Sequence, residues 1–122
     1  MLADVTEPPM REPTFFVLAA LLRGPLHGYA IMKRAEELSD GRVKLATGTL
    51  YTALDRLTAE GHVEMVSEES VGGRVRRTYG LTEGGSAALR AEAVRMAEAA
   101  QLVIGPARAT KTGPLAWKLR TT

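Results

Sequence analysis

Along this chain the spacing of apolar residues changes from a helical period to a strand alternation and back again, and few folds accept that order. Pro8, Pro9 and Pro13 resist helix formation and mark residues 1–13 as a flexible arm. A first helix is then expected from Pro13 or Thr14 through Phe15, Leu18, Leu21 and Leu22, with Arg23-Gly24-Pro25 as its stop. Nearly all its sides are apolar, the pattern of a helix that faces both its own core and a partner. A second helix fits His27 to Leu38, with Tyr29, Met32, Ala35 and Leu38 on one face. Thr47 suits the cap of a third, from Gly48 to Ala59, which Gly61 ends.

The period then becomes two. Val63 and Met65 are expected to point inward while His62, Glu64 and Ser67 point out, answered by inward Val75, Tyr79 and Leu81. Between these two short strands, Glu68 to Gly73 reads as a loop ending in Gly72-Gly73, a pair able to take positive φ at both turn positions. Thr82 can cap a fourth helix from Glu83 to Ile104, stopped by Gly105-Pro106. Three helices, a glycine-tipped hairpin and a further helix describe a mainly α chain with a small β-hairpin wing, a winged helix-turn-helix over residues 14–81. Residues 82–104 add a C-terminal helix, and residues 105–122 a basic tail. In that last helix Leu89, Ala93, Met96, Ala100 and Val103 alternate steps of four and three, the seam of a helix that pairs with a second copy. The other reading of the seam is a lone helix packed on its own domain.

Several function classes drop out on composition. The 122 residues suit one domain, at about 100–200 residues per domain. With no cysteine there is no thiolate nucleophile, disulfide or zinc knuckle, and His27 and His62 alone cannot hold a metal. No cofactor is expected. The chain shows no Ser/His/Asp ordering, no phosphate loop of the GxxxxGK type and no carboxylate pair at metal spacing, so it is not read as an enzyme. The longest apolar run, Phe15 to Leu22, falls far short of the roughly 20 residues that span a bilayer, and no secretory signal pattern opens the chain. A cytoplasmic protein without membrane contact is expected.

Charge points to local patches only. The chain carries 16 basic and 14 acidic residues, and Arg108, Lys111, Lys118 and Arg120 fall in a tail without acids, which leaves the rest at −2. Any polyanion site must therefore come from clustering. Two clusters qualify. On the third helix, Thr47, Gly48, Thr49, Tyr51 and Thr52 set small polar side chains and a tyrosine opposite the stripe of Leu50, Ala53, Leu54 and Leu57, and small residues let a helix N-terminus approach a phosphate or base edge closely. After the glycine turn, Arg74, Arg76 and Arg77 crowd one strand, where guanidinium groups pair with phosphate or enter a minor groove. Glu68 and Glu69 on the facing strand offer the alternative of cross-strand ion pairs.

These residues resemble a known family. Pro25-Leu26-His27-Gly28-Tyr29-Ala30-Ile31, then Thr47 to Leu57 with Glu60-Gly61, then Gly73-Arg74 to Tyr79-Gly80-Leu81-Thr82-Glu83-Gly84-Gly85 look like the PadR family of winged-helix transcriptional regulators, over about Thr14 to Ile104. The resemblance implies a homodimeric repressor that binds an inverted-repeat operator in double-stranded DNA and is released by a small apolar or aromatic effector. It implies that Thr47, Gly48, Thr49, Tyr51 and Thr52 face the operator, with Tyr51 on a phosphate. Tyr29 and Lys44 become backbone contacts, though Tyr29 fits a core position as well. Arg74, Arg76 and Arg77 become the wing. Arg56 either reaches a phosphate or pairs within the helix with Thr52 or Glu60. The family often has proline where this chain has Thr52. Its dimer interface packs the C-terminal helix on the partner's first helix, which assigns Leu18, Leu22, Leu89, Ala93, Met96, Ala100 and Val103 to that contact.

A single helix after the wing is similar to the shorter members of the family, some of which hold flat aromatic compounds against a tryptophan of that helix. Here Trp117 falls past the expected stop. Phe15, Phe16, Ala19, Met96, Ala100 and Val103 are the expected lining of an effector pocket, or else fill the dimer core. The remaining alternative, supported by the −2 body and the Glu68-Glu69 pair, is a winged-helix module that binds a protein and not specific DNA.

Overall fold

The computed structural model describes residues 10–105. The first nine residues of the expected arm and nearly all of the basic tail, Trp117 included, lie outside the described residues. The elements run α1 (Glu12–Ala20), β1 (Leu26–His27), α2 (Gly28–Leu38), α3 (Thr47–Ala59), β2 (Val63–Val71), β3 (Arg74–Leu81) and α4 (Glu83–Ile104). This is the winged helix-turn-helix order, with a C-terminal helix and one strand more than the sequence showed. The chain divides into two compact units at Glu92 and Ala93, within α4.

The first unit is built on one apolar cluster. Val17, Leu18 and Leu21 of α1 and the following turn, Ile31 of α2, Leu50, Leu54 and Leu57 of α3, Val63 of β2, Tyr79 of β3 and Leu89 of α4 are all buried in it. Each helix therefore contributes a stripe, and the stripe fixes which side is left to solvent. For α2 that side differs in part from expectation: Ala35 is buried and Met32 packs on the core as expected, with Ile31 beside them, whereas Tyr29 is 64% exposed and Leu38 is also exposed.

Helix starts show how little a cap residue alone decides. Pro13 sits in the first turn of α1, where its missing N–H costs nothing, so the helix begins at Glu12, inside the segment expected to be an arm. Ala46, not Thr47, is the extended residue before α3, so Thr47 is helical and caps nothing. Thr82 does act as expected. Its hydroxyl accepts from the Gly85 N–H at 2.9 Å and donates to the Gly61 carbonyl at 2.6 Å, joining the end of α3 to the start of α4.

The sheet is antiparallel in the order β1-β3-β2. Leu26 and His27 pair with Tyr79 and Thr78, which takes His27 out of α2, where it was expected. The hairpin ladder runs from Val63↔Leu81 out to Val71↔Arg74, with a bulge between Met65 and Ser67, so Glu68 to Val71 is strand and not loop. Gly72 and Gly73, at φ 57° and 79°, close it as a two-residue turn of the kind that matches strand twist. Only the base of this hairpin packs on the core. Val63 and Tyr79 are buried there, but Met65 and Val75, expected to point inward, are exposed on the projecting arm.

Of the second unit, the described residues are the remainder of α4 and Gly105. Val94, Met96, Leu102, Val103 and Ile104 are exposed, the last three by 88%, 85% and 81%, and Gly105 ends the helix with φ 85°. Among the described residues no helix is long and apolar enough to cross a membrane.

Candidate nucleic-acid interface

The stripe of Leu50, Leu54 and Leu57 turns the other side of α3 outward, and Thr47, Gly48, Thr49 and Thr52 are exposed along it. Ala46 at the cap has no side-chain acceptor for the first-turn amides, so the positive end of the helix is left open at this face. A Cβ added at Gly48 would meet no atom within 4 Å, so nothing inside the chain requires glycine there. Thr47, Gly48, Thr49 and Thr52 thus come together as one small polar surface.

Tyr51 stands slightly apart from them. It is half-buried against the core, its ring tilted 56° to that of Tyr79 at 6.4 Å between centroids. Its hydroxyl end lies over Gly28, the first residue of α2, closely enough that an added Cβ there would overlap the hydroxyl and stand 2.9 Å from Cζ. Gly28 is what lets the tyrosine settle at the junction of α2 and α3.

Tyr29 and Lys44 are brought together by a groove of about 480 Å³ along α2 and the connector to α3, which Lys33 also lines. Glu36, Glu37 and Asp40 occupy the same groove, so its charge is mixed. None of the six residues expected to line an effector pocket takes part in it. Phe15, Phe16 and Ala19 are half-buried on α1, with the two phenyl rings edge to face at 5.3 Å, while Met96, Ala100 and Val103 are exposed on α4.

The arginines of the hairpin do not form one cluster. Residues alternate between the two faces of a strand, so Arg77 shares a face with Tyr79, and Arg74 and Arg76 share the other. Arg77 Nε lies 3.5 Å from Glu68 Oε1 across the ladder, and Arg76 stands opposite Glu69. Arg74, next to the turn, stands opposite Val71. The cationic surplus of the wing therefore sits at its tip. Burial raises the Tyr79 phenol above its ordinary value of 10.0, with Asp55, Tyr51 and Glu68 adding to the rise and Arg77 working against it.

Arg56 takes the pairing with Glu60 that its spacing offered, and two of the expected dimer residues fall in the core. Arg56 is engaged within the protein: Nη2 donates to Thr14 Oγ1 at 2.9 Å, and Nη1 reaches the Glu60 carboxylate at 3.3 and 3.4 Å. The same carboxylate lies 3.5 Å from the buried Nδ1 of His62. Of the expected dimer residues, Leu18 and Leu89 are buried in the core of their own chain and offer a partner no surface. Leu22, Ala93, Met96, Ala100 and Val103 are exposed. The sequence reading missed Thr14, 42 residues from Arg56, because no local pattern links such positions.

Comparison with known proteins agrees with this architecture. The model of the transcriptional regulator PadR-like family matches residues 17–91. An uncharacterized 37.1 kDa protein in a transposon of Streptomyces fradiae is 43% identical over 86 residues, which is 70% of this chain and 23% of that protein. A transcriptional regulator of Mycobacterium tuberculosis is 42% identical over 71 residues, 57% of this chain and 64% of that protein. The chain thus spans less than two thirds of the length of either curated relative. Among solved structures, a PadR family regulator from Eggerthella lenta is 26% identical with a TM-score of 0.60, covering 75% of this chain and 80% of that one. Bacillus subtilis PadR, solved in complex with operator DNA, shares the fold at 23% identity and a TM-score of 0.62, covering 89% of this chain and 57% of that one. With the family model matching more than half of its residues, the chain belongs to the PadR-like family of transcriptional regulators, which are not enzymes.

Proposed function

We propose that this protein is a homodimeric repressor that binds an inverted-repeat operator through α3 and the tip of the hairpin, and that a small apolar or aromatic molecule releases it. The observation that carries the reading is the exposed surface of Thr47, Gly48, Thr49 and Thr52 at an uncapped helix start, directly opposite a buried leucine stripe. Short hydroxyl side chains and open backbone amides are what a helix needs to lie against base edges and phosphates. Two such helices in a dimer would enter successive major grooves about 34 Å apart. Lys44 and Tyr29 lie ahead of the helix as backbone contacts, and Arg74 and Arg76 serve the flanking phosphates or minor groove. The relative from Bacillus subtilis, solved with operator DNA, supports the same use of the fold. The exposed apolar end of α4 supports self-association. Release by an effector extends the family resemblance, and compounds that reverse DNA binding test it separately.

Selection of bound sequences from random duplex DNA at two salt concentrations tests the reading. An enriched inverted repeat that survives the higher salt is the expected result; binding without a motif that vanishes with salt overturns it in favour of protein recognition. On the selected duplex, Arg74→Ala should lower the salt slope by about one unit, as loss of one phosphate contact does. Arg77→Ala should change it less, because Glu68 already occupies that guanidinium.

A further inference from the structure

The first turn of α1 reaches both the last turn of α3 and the connector between α2 and α3. Glu12 pairs with Arg42 in the connector that leads into α3, and Thr14 accepts the hydrogen bond from Arg56 in the last turn of α3. These contacts are exposed, and exposed polar pairs add little to stability. Their placement has another consequence. Leu50, Leu54 and Leu57 form a stripe along one side of α3 that sets how deeply the helix sits, and Tyr51, packed beside Tyr79 and over Gly28, limits a roll about the helix axis on one flank. Contacts at two points off that stripe oppose the roll. A helix that reads base edges must be held within about 0.5 Å and 10–20° of its productive orientation.

We propose that Arg56 is a positioning residue that acts through Thr14, the two forming with Glu12 and Arg42 a clamp that fixes the roll of α3 against DNA. Arg56 then contributes to operator affinity and discrimination without touching a phosphate. The geometry favours this over direct contact, since its guanidinium is already shared between Thr14 and the Glu60 carboxylate. The inference rests on the reading of α3 as the DNA-reading helix.

The test uses the full chain and the best duplex recovered by selection, alongside a scrambled duplex, across a range of salt. Thr14→Val and Arg56→Ala are each expected to weaken binding to the selected duplex about three- to tenfold and to narrow its margin over the scrambled one, with the salt slope unchanged. Thr14→Ser, which keeps the hydroxyl, should restore wild-type affinity. The double variant should lose no more than either single, because both remove one interaction. Thermal melts of all variants confirm that they fold. A slope lowered by about one unit in Arg56→Ala with Thr14→Val silent makes Arg56 a phosphate contact and overturns the clamp, as do additive losses or no loss at all. Wild-type protein that does not distinguish the two duplexes overturns the DNA reading itself.

Discussion

Gly48 and Gly28 are glycines for different reasons, and single substitutions separate them. Nothing in the chain crowds Gly48, so Gly48→Ala should stabilise the fold by about 0.5–1 kcal/mol through helix propensity, seen as a raised urea midpoint. If α3 faces the operator as proposed, the same change should weaken binding to the selected duplex, because the methyl group would stand between the helix and the DNA. Gly28→Ala should act in the other order. The tyrosine whose hydroxyl covers Gly28 must swing away, at a modest cost of about 1 kcal/mol that Tyr51→Ala in the same chain relieves. Tyr79 makes a prediction on pH. Its phenol is raised above 10.0 by burial, so the folded chain holds that proton more tightly than the unfolded chain does. The stabilisation is complete below pH 10 and is lost as pH climbs through the raised value. Urea midpoints between about pH 9 and 12 should fall more steeply for the wild type than for Tyr79→Phe.

Among the elements, those with a buried face were legible in the sequence and those without one were not. The leucines of α3 and the turn residues Gly72-Gly73 announced a helix and a hairpin because burial and positive φ leave residue-specific marks. The outer hairpin has no such mark: Glu68-Glu69-Ser70-Val71 touches no core, so its alternation carries no apolar signal, and a ladder looked like a loop. Strand β1 is two residues long and has no period to detect. The start of α3 was misplaced by one residue because threonine suits a cap and a first turn almost equally, and only the backbone of Ala46 decides. The glycine turn can be tested directly. Gly73→Ala forces a methyl-bearing residue to φ near 79° and should cost about 1 kcal/mol, lowering the thermal midpoint while leaving the helical signal of the native state unchanged.

For the molecule as a whole, the exposed polar face of α3 and the pairing of Arg56 with Glu60 could be read from residue types and spacing, whereas the bond from Arg56 to Thr14 could not, because that partner is distant in sequence. Leu18 and Leu89 were likewise assigned to a partner when their own core already takes them; a seam read from spacing cannot say which copy covers it. Met96→Lys combined with Val103→Lys places charge on the exposed side of α4 and is expected to shift the sedimenting species toward a single chain. Chemical stability should change by less than about 0.5 kcal/mol, as it does at exposed positions. A dimer that persists in this variant would place the interface elsewhere. The bare apolar end of α4 also bears on gene dosage. Where two chains must meet before both half-sites are held, the filled fraction of a scarce operator rises with the square of protein concentration, so halving synthesis of the chain reduces occupancy about fourfold at the dilute limit. The cell's supply of this one polypeptide then becomes a signal in its own right, read out as a steep threshold.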